Sequence, residues 1–207
     1  MGLDPIEIYD DLKQKIIWLD LTPDSTLNQA ELCDLYGVSR NPLTIALTRL
    51  DAEGWVVRHG VHFVVSSLTL DRMREVTEIR LVLETQAVLW AMHRITKSGL
   101  QELKTIGKAI KNLSPRASKK EMVQHDFNFH KIIYRETHNQ QLARLLERLL
   151  SDYLRFWLAG PKEIKKETLF NDTLAMIKAI ENRDEISLRA SIAAHVKASL
   201  DKIMGVS

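Results

Sequence analysis

The chain has 207 residues, 45% of them hydrophobic and 27% charged, enough for two small domains with real cores and too apolar for a disordered chain. No run of about 18 apolar residues exists, the opening residues lack the basic and apolar regions of a secretory signal, and a single cysteine, Cys33, excludes a disulfide framework; the expected setting is a reducing cytoplasm, with no membrane partner. The net charge of +2 hides an asymmetry, because residues 1–70 carry a balance of −5 and the remainder +7.

Ile6, Tyr9, Leu12, Ile16, Ile17 and Leu19 recur at helical spacing behind Pro5 and predict a first helix. A turn at Thr22-Pro23-Asp24 leads to a second helix over Asn28–Tyr36, with Leu32 and Leu35 as its inner face and Cys33 as a small core residue. The third helix, from about Ser39 to Glu53, is entered through Gly37-Val38-Ser39-Arg40-Asn41-Pro42. Pro42 fits a first turn, where its missing N–H has no helical partner. Ser39 or Asn41 can cap the free amides, and Gly54 is a natural stop. Leu43, Ala46, Leu47 and Leu50 share one face, and Asn41, Thr44, Ile45 and Thr48 the opposite one. Two β-branched runs between Trp55 and Val65 meet near His59-Gly60 and predict a hairpin. Three helices followed by a two-stranded wing make a winged helix-turn-helix over residues 1–66. Asn can pair with adenine, and Thr or Ile methyls can touch a thymine methyl. The acidic balance runs against DNA binding, since phosphate neutralisation supplies much of the affinity.

Past the linker Ser66-Ser67-Leu68-Thr69 the pattern is helical throughout, with helices expected near 71–95, 99–112, 119–137, 140–158, 162–182 and 184–204. The fold class is therefore mainly α, with an all-helical domain over 71–207. In the helix near 119–137, Val123, Asp126, Phe127, His130, Ile133 and Tyr134 share one face, which places a carboxylate and an imidazole inside an apolar stripe. Buried polar groups cost about 1–3 kcal/mol unless paired, so both need partners. His195 lies likewise among Leu188, Ile192, Val196, Ser199 and Ile203. Arg80 and Glu84 face inward with Met73, Val76, Ala87 and Ala91. An inward arginine requires a counter-charge, either Glu84 or the carboxylate of a bound effector gripped by the guanidinium fork. Tyr134 and Tyr153 are inward hydroxyls, Leu142, Leu145, Leu146, Leu149 and Leu150 form a core stripe, and the surplus lysines make a solvated surface.

Taken together, Ala30-Glu31-Leu32, Gly37 through Leu43, Ala46-Leu47, Arg49-Leu50 and Ala52 through Val56 resemble the GntR family of bacterial transcription regulators. Glu78-Ile79-Arg80 with Glu84, Asp126 with Phe129-His130, Asn139, Ala179-Ile180 with Arg183-Asp184, and His195 are similar to its FadR-like branch, which carries an all-helical (FCD-type) effector domain. The resemblance implies a homodimeric, non-enzymatic regulator of double-stranded operator DNA. Ser39, Arg40, Asn41, Thr44, Thr48 and Arg49 would contact DNA from the third helix, and Arg58, His59 and Gly60 from the wing; the family usually has arginine at the position of Thr44. Many members bind a divalent metal through an Asp and three His, which holds a carboxylate effector. Asp126, His130 and His195 match three of those positions and the fourth falls on Thr173, with Asp172 at the edge of the same face. Zinc or nickel suits such donors, and without metal the three form a hydrogen-bonded polar floor. A small organic acid would touch Arg80, Tyr134, Tyr153 and Thr173. Two alternatives are a protein-interaction module of the same fold with a degenerate DNA face, and a metal-dependent hydrolase, which would need an open coordination position and a general base.

Overall fold

The computed structural model describes residues 3–160 and 166–204, and the chain divides into two compact units, residues 1–69 and 70–207. In the first unit, α1 (Pro5–Ile17) opens with a capping box: the Asp4 carboxylate accepts from the amides of Ile6 and Glu7, and the Glu7 carboxylate accepts from the amide of Asp4. Ile8, Tyr9, Leu12 and Ile16 enter the core, whereas Ile6, expected inside, is 60% exposed because Ile8 takes the inward position. The strand β1 (Thr26–Leu27) has no counterpart in the sequence-based expectation. Next, α2 (Gln29–Tyr36) is capped by the Asn28 side chain and stopped by Gly37 at φ +63°. Its inner face is Leu32 and Tyr36, and Leu35 is 65% exposed. Leu35 lies about 80° off the line through Leu32 and Tyr36, too far round to share their contacts.

The helix α3 (Arg40–Ala52) packs on α1 through Leu43, Ala46, Leu47 and Leu50, each fully buried, as the sequence pattern requires. The strands β2 (Val56–His59) and β3 (His62–Val65) form the antiparallel wing, in register from Val56–Val65 to His59–His62, with Gly60 at φ +62° in the turn. Because β1 adds to the free edge of β3, the wing is a three-stranded sheet of order β1-β3-β2 rather than a lone hairpin. Fully buried Trp55, with Val56, Phe63 and Val65, closes the core beneath it.

The second unit contains α4 (Leu70–Arg94), α5 (Lys97–Asn112), α6 (Lys119–Glu136), α7 (Gln140–Ala159), α8 (Lys166–Asn182) and α9 (Glu185–Met204). The expected first residues of α8, 162–165, and the side chains of Ser199 and Ile203 lie outside the described part. The long α4 packs against α6, α7 and α9, while α6 also packs on α5 and α7 and α8 on α5 and α9. In α7 every residue from Ser151 to Trp157 is buried, so that stretch is enclosed on all sides. The leucine stripe begins one turn later than its pattern suggests, since Leu142 is half-buried and Leu145 is 48% exposed, ahead of fully buried Leu146. Not all the lysines are simply solvated: Lys119 donates to the carbonyls of Leu158 and Gly160, and Lys166 to those of Lys111 and Leu113. Thr96, Ser118 and Asn139 cap α5, α6 and α7 with their side chains. Among the described residues no helix is long and apolar enough to cross a membrane.

Candidate functional site

With its apolar face buried, α3 displays Asn41, Ile45 and Thr48 to solvent, beside half-buried Thr44. Ser39 occupies the N-cap but its side chain makes no capping hydrogen bond, so the first-turn amides are not satisfied by it. Exposed Arg40 stands at that same positive helix end. The Thr44 hydroxyl donates to the Arg40 carbonyl at 2.8 Å, which leaves its methyl and oxygen lone pairs for a partner.

The other basic residues expected at this surface are engaged within their own unit. Arg49 lies 3.7 Å from the centre of the Tyr9 ring and donates to Glu53 at 3.2 Å. Glu53 also accepts from the Tyr9 hydroxyl and the Trp55 indole, which ties α1, α3 and the start of the wing into one knot. Burial alone would raise the Glu53 pKa, but the hydrogen bonds from Tyr9 and Trp55 and the charge of Lys13 outweigh it and hold it below the ordinary value. Arg58 bends back to donate to the Gly60 carbonyl at 3.0 Å, its guanidinium over the Phe63 ring. His59 and Gly60 are exposed at the wing tip. The structure thus gathers Ser39, Arg40, Asn41, Thr44 and Thr48 on one face, and places Arg49 at that helix's far end in a structural contact.

In the second unit, Asp126 and His130 on α6 and His195 on α9 converge with one ligand atom from each within 4.8 Å of the others, all three residues buried. The two Nε2 atoms of His130 and His195 are 3.3 Å apart, and the Asp126 carboxylate is 3.7 Å from His130 Nε2. Two imidazole nitrogens bound to one tetrahedral ion at about 2.0–2.1 Å sit about 3.3 Å apart, so this donor set fits a divalent metal. Thr173 on α8 is fully buried, and its hydroxyl has no hydrogen-bond partner among the described residues. Asp172 is only half-buried.

Arg80 and Glu84, one turn apart on α4, are paired with each other. Arg80 donates to the Glu84 carboxylate through Nε at 2.9 Å and Nη2 at 2.8 Å, and its guanidinium lies 3.9 Å from the centre of the Tyr153 ring. Burial alone would depress the Arg80 pKa, but the adjoining Glu84 carboxylate holds it above its ordinary value. The Tyr134 hydroxyl donates to the same Glu84 oxygen and lies 3.4 Å from His130 Nδ1. Burial, then the Glu84 charge, push the Tyr134 pKa well up. Burial, then the Arg80 charge, push His130 well below its ordinary value, so it is neutral. The sharing of Glu84 between Arg80 and Tyr134 escapes sequence reasoning, because residues 84 and 134 belong to different helices and neither sequence neighbourhood points to the other.

A family model described as bacterial regulatory proteins of the gntR family matches residues 6–62, and the FCD domain model matches residues 75–198, more than half of the chain. The chain is a GntR-family transcriptional regulator with an FCD domain. Similar relatives include an uncharacterized HTH-type transcriptional regulator, YdhC, of Bacillus subtilis (strain 168), 25% identical over 92% of this chain and 86% of that protein. The Nta operon transcriptional regulator of Aminobacter aminovorans is 26% identical over 89% of this chain and 87% of its own. Among solved structures, Escherichia coli McbR/YncC superposes with a TM-score of 0.85 at 20% identity, covering 99% of both chains. A structure described as a putative GntR transcriptional regulator from Rhodococcus sp. RHA1 gives 0.77 at 14%, covering 98% of both. At those identities the structural likeness speaks for the fold alone. A GntR regulator of this class is not an enzyme, and the family models and named relatives account for both units without one.

Proposed function

We propose that this GntR regulator binds a short palindromic operator as a homodimer, and that a small carboxylate held with a divalent metal, zinc or nickel, in the FCD domain changes the affinity of that binding. Convergence of the buried Asp126, His130 and His195 carries the reading. Three buried ligand atoms held this close offer a site to a divalent cation, and they leave a fourth position to which an effector carboxylate can add. Thr173, with the Tyr134 and Tyr153 rings, would shape the effector's surroundings, while Arg80, engaged by Glu84, acts at one remove.

On DNA, Asn41, Thr44 and Thr48 would face base edges in the major groove, Arg40 with the Ser39 hydroxyl and the free helix amides would grip a phosphate, and the wing tip at Arg58, His59 and Gly60 would reach the neighbouring groove. Arg58 would exchange its bond to the Gly60 carbonyl for one to the backbone of the duplex. Arg49 contributes through the Tyr9–Glu53 knot that supports α3.

The test is selection of sites from a randomised duplex library, followed by binding measurements with chelator, with zinc or nickel, and with a panel of small carboxylates. A selected palindrome whose affinity changes with metal and acid is the expected result. Unaltered affinity across the panel refutes the switching, and failure to select any sequence refutes operator binding in favour of an interaction module of the same fold.

A further inference from the structure

The middle of the displayed face of α3 carries an aliphatic side chain. Burial of Leu43, Ala46, Leu47 and Leu50 fixes the rotation of the helix, and at about 100° per residue the line opposite them runs between Asn41, Ile45 and Thr48. Ile45 is 52% exposed there, one turn beyond Asn41 and one turn before Thr48. We propose that Ile45 is a base-reading residue: its side chain packs on the C5-methyl of one thymine in each half-site and so selects thymine over cytosine at that position. The proposal rests on the operator-binding reading above and adds to it a residue that tells one base pair from another.

An isoleucine at this position contributes little to the fold. It lies on the side of α3 away from the core, and a β-branched residue is a poorer helix former than alanine or a straight-chain polar side chain. What it supplies is a stiff apolar tip, because in a helix one χ1 rotamer dominates and little freedom is left to lose on contact. The major-groove edges of a duplex are mostly polar: guanine presents N7 and O6, adenine N7 and N6, cytosine N4, and thymine O4 together with its methyl. That methyl is the apolar group on which an aliphatic side chain can pack. Set against a guanine, adenine or cytosine edge, Ile45 would strip water from a donor or acceptor and return no hydrogen bond.

The neighbours of Ile45 point the same way. Thr44 spends its hydroxyl proton on the Arg40 carbonyl at 2.8 Å and keeps a methyl and lone pairs for a partner. Asn41 carries the amide that pairs with an adenine edge. From Asn41 to Thr48 the chain holds no Arg or Lys to grip guanine O6 and N7, and no carboxylate to accept from cytosine N4. The flanking arginines lie at the two ends of the stretch, Arg40 in the first turn and Arg49 against the Tyr9 ring. The centre of α3 is therefore suited to A·T pairs, and Ile45 is the member that senses the methyl.

The test uses the full chain and a duplex selected from a randomised library. Each thymine of the half-site is replaced in turn by deoxyuridine, in both half-sites together, which removes the methyl and keeps O4 and the base pairing. Fluorescence anisotropy then gives the affinity of the unaltered protein, of Ile45→Val and of Ile45→Ala. At one position the replacement should weaken the unaltered protein about fourfold per half-site and about fifteenfold for both, which corresponds to about 0.8 kcal/mol per buried methyl. Ile45→Val should keep part of that ratio, and Ile45→Ala should bind thymine and uracil alike. The slope of log K against log salt should not change in either variant, because no phosphate contact is lost. Selected half-sites whose thymines all tolerate loss of the methyl overturn the proposal and leave operator binding standing, as does a preference for thymine that survives intact in Ile45→Ala. A library that yields no sequence refutes operator binding, and this proposal with it.

Discussion

Arg40→Ala separates recognition from folding more cleanly than any other single change on the displayed face of α3. Arg40 is exposed in the first turn of that helix, where the helix dipole disfavours a cation by about 0.3–1 kcal/mol, so alanine there should leave the unit as stable as before or slightly more so. Arg49 is occupied by Tyr9 and Glu53, and Arg58 by the Gly60 carbonyl, so in the proposed DNA complex Arg40 would be the leading phosphate anchor of this surface. A charge-assisted hydrogen bond contributes about 1.5–3 kcal/mol. In the proposed homodimer on a palindrome, two protomers lose about twice that, which is about a 10²–10⁴-fold weakening. Each lost phosphate contact also flattens the dependence of log K on log salt by about 0.9, giving a slope about 1.8 shallower for the dimer. Fluorescence anisotropy on a selected duplex between about 50 and 200 mM salt measures both quantities. Normal affinity with an unchanged slope would refute the assignment of this face, and lost affinity accompanied by a lower melting temperature would make the effect structural.

Glu84→Ala should cost about 3–5 kcal/mol in urea denaturation, since it leaves Arg80 charged and buried without its partner. The double replacement Arg80→Met with Glu84→Leu should cost far less, about 1–3 kcal/mol, because only the Tyr134 hydroxyl is then left unmatched. Chelator-treated protein should lose stability as the pH falls below 6.5. Unfolded His130 takes up a proton there and the buried folded one does not, so the slope from this residue is at most about 1.4 kcal/mol per pH unit; a flat urea midpoint between pH 7 and 5 would contradict its burial in neutral form. Gly37→Ala should destabilise the first unit by about 1–2 kcal/mol in thermal melts purely through its φ of +63°, because no atom lies within 4 Å of the added Cβ. Gly99→Ala should act differently, by overlapping the Glu136 carboxylate that accepts from the Thr96 amide and hydroxyl, and native-state hydrogen exchange at Thr96 should rise with it.

What could be read from the sequence, and what could not, divides by the range of the contact. The α3 face was legible because Leu43, Ala46, Leu47 and Leu50 are set by helix periodicity alone, and their burial fixes what the opposite side shows. The two turns Arg80–Glu84 and Asp126–His130 were legible for the same reason, since i,i+4 pairs meet by construction. β1 was not, because two residues carry no period and Thr26–Leu27 becomes a strand only when the edge of β3 lies beside it. Nor was the capture of Arg49 by Tyr9, 40 positions away on α1, or the shared use of Glu84 by Tyr134.

That division carries a functional consequence. Sequence patterns located the polar residues of both surfaces but could not say which were already satisfied, and satisfaction is what separates an anchor from a support. Arg80, Arg49 and Arg58 each have a partner within their own unit and so support a neighbour: Arg80 holds Glu84, Arg49 holds Glu53, and Arg58 braces the wing turn. The first turn of α3, left uncapped by the Ser39 side chain beside exposed Arg40, and the buried Thr173 hydroxyl of α8 retain unsatisfied capacity. A buried group of that kind is costly to keep without an occupant. On the proposed function, the two places where this protein should be sensitive to what it binds are the start of α3 and the Asp126–His130–His195 cluster, and substitutions at the supports should act on stability before they act on recognition.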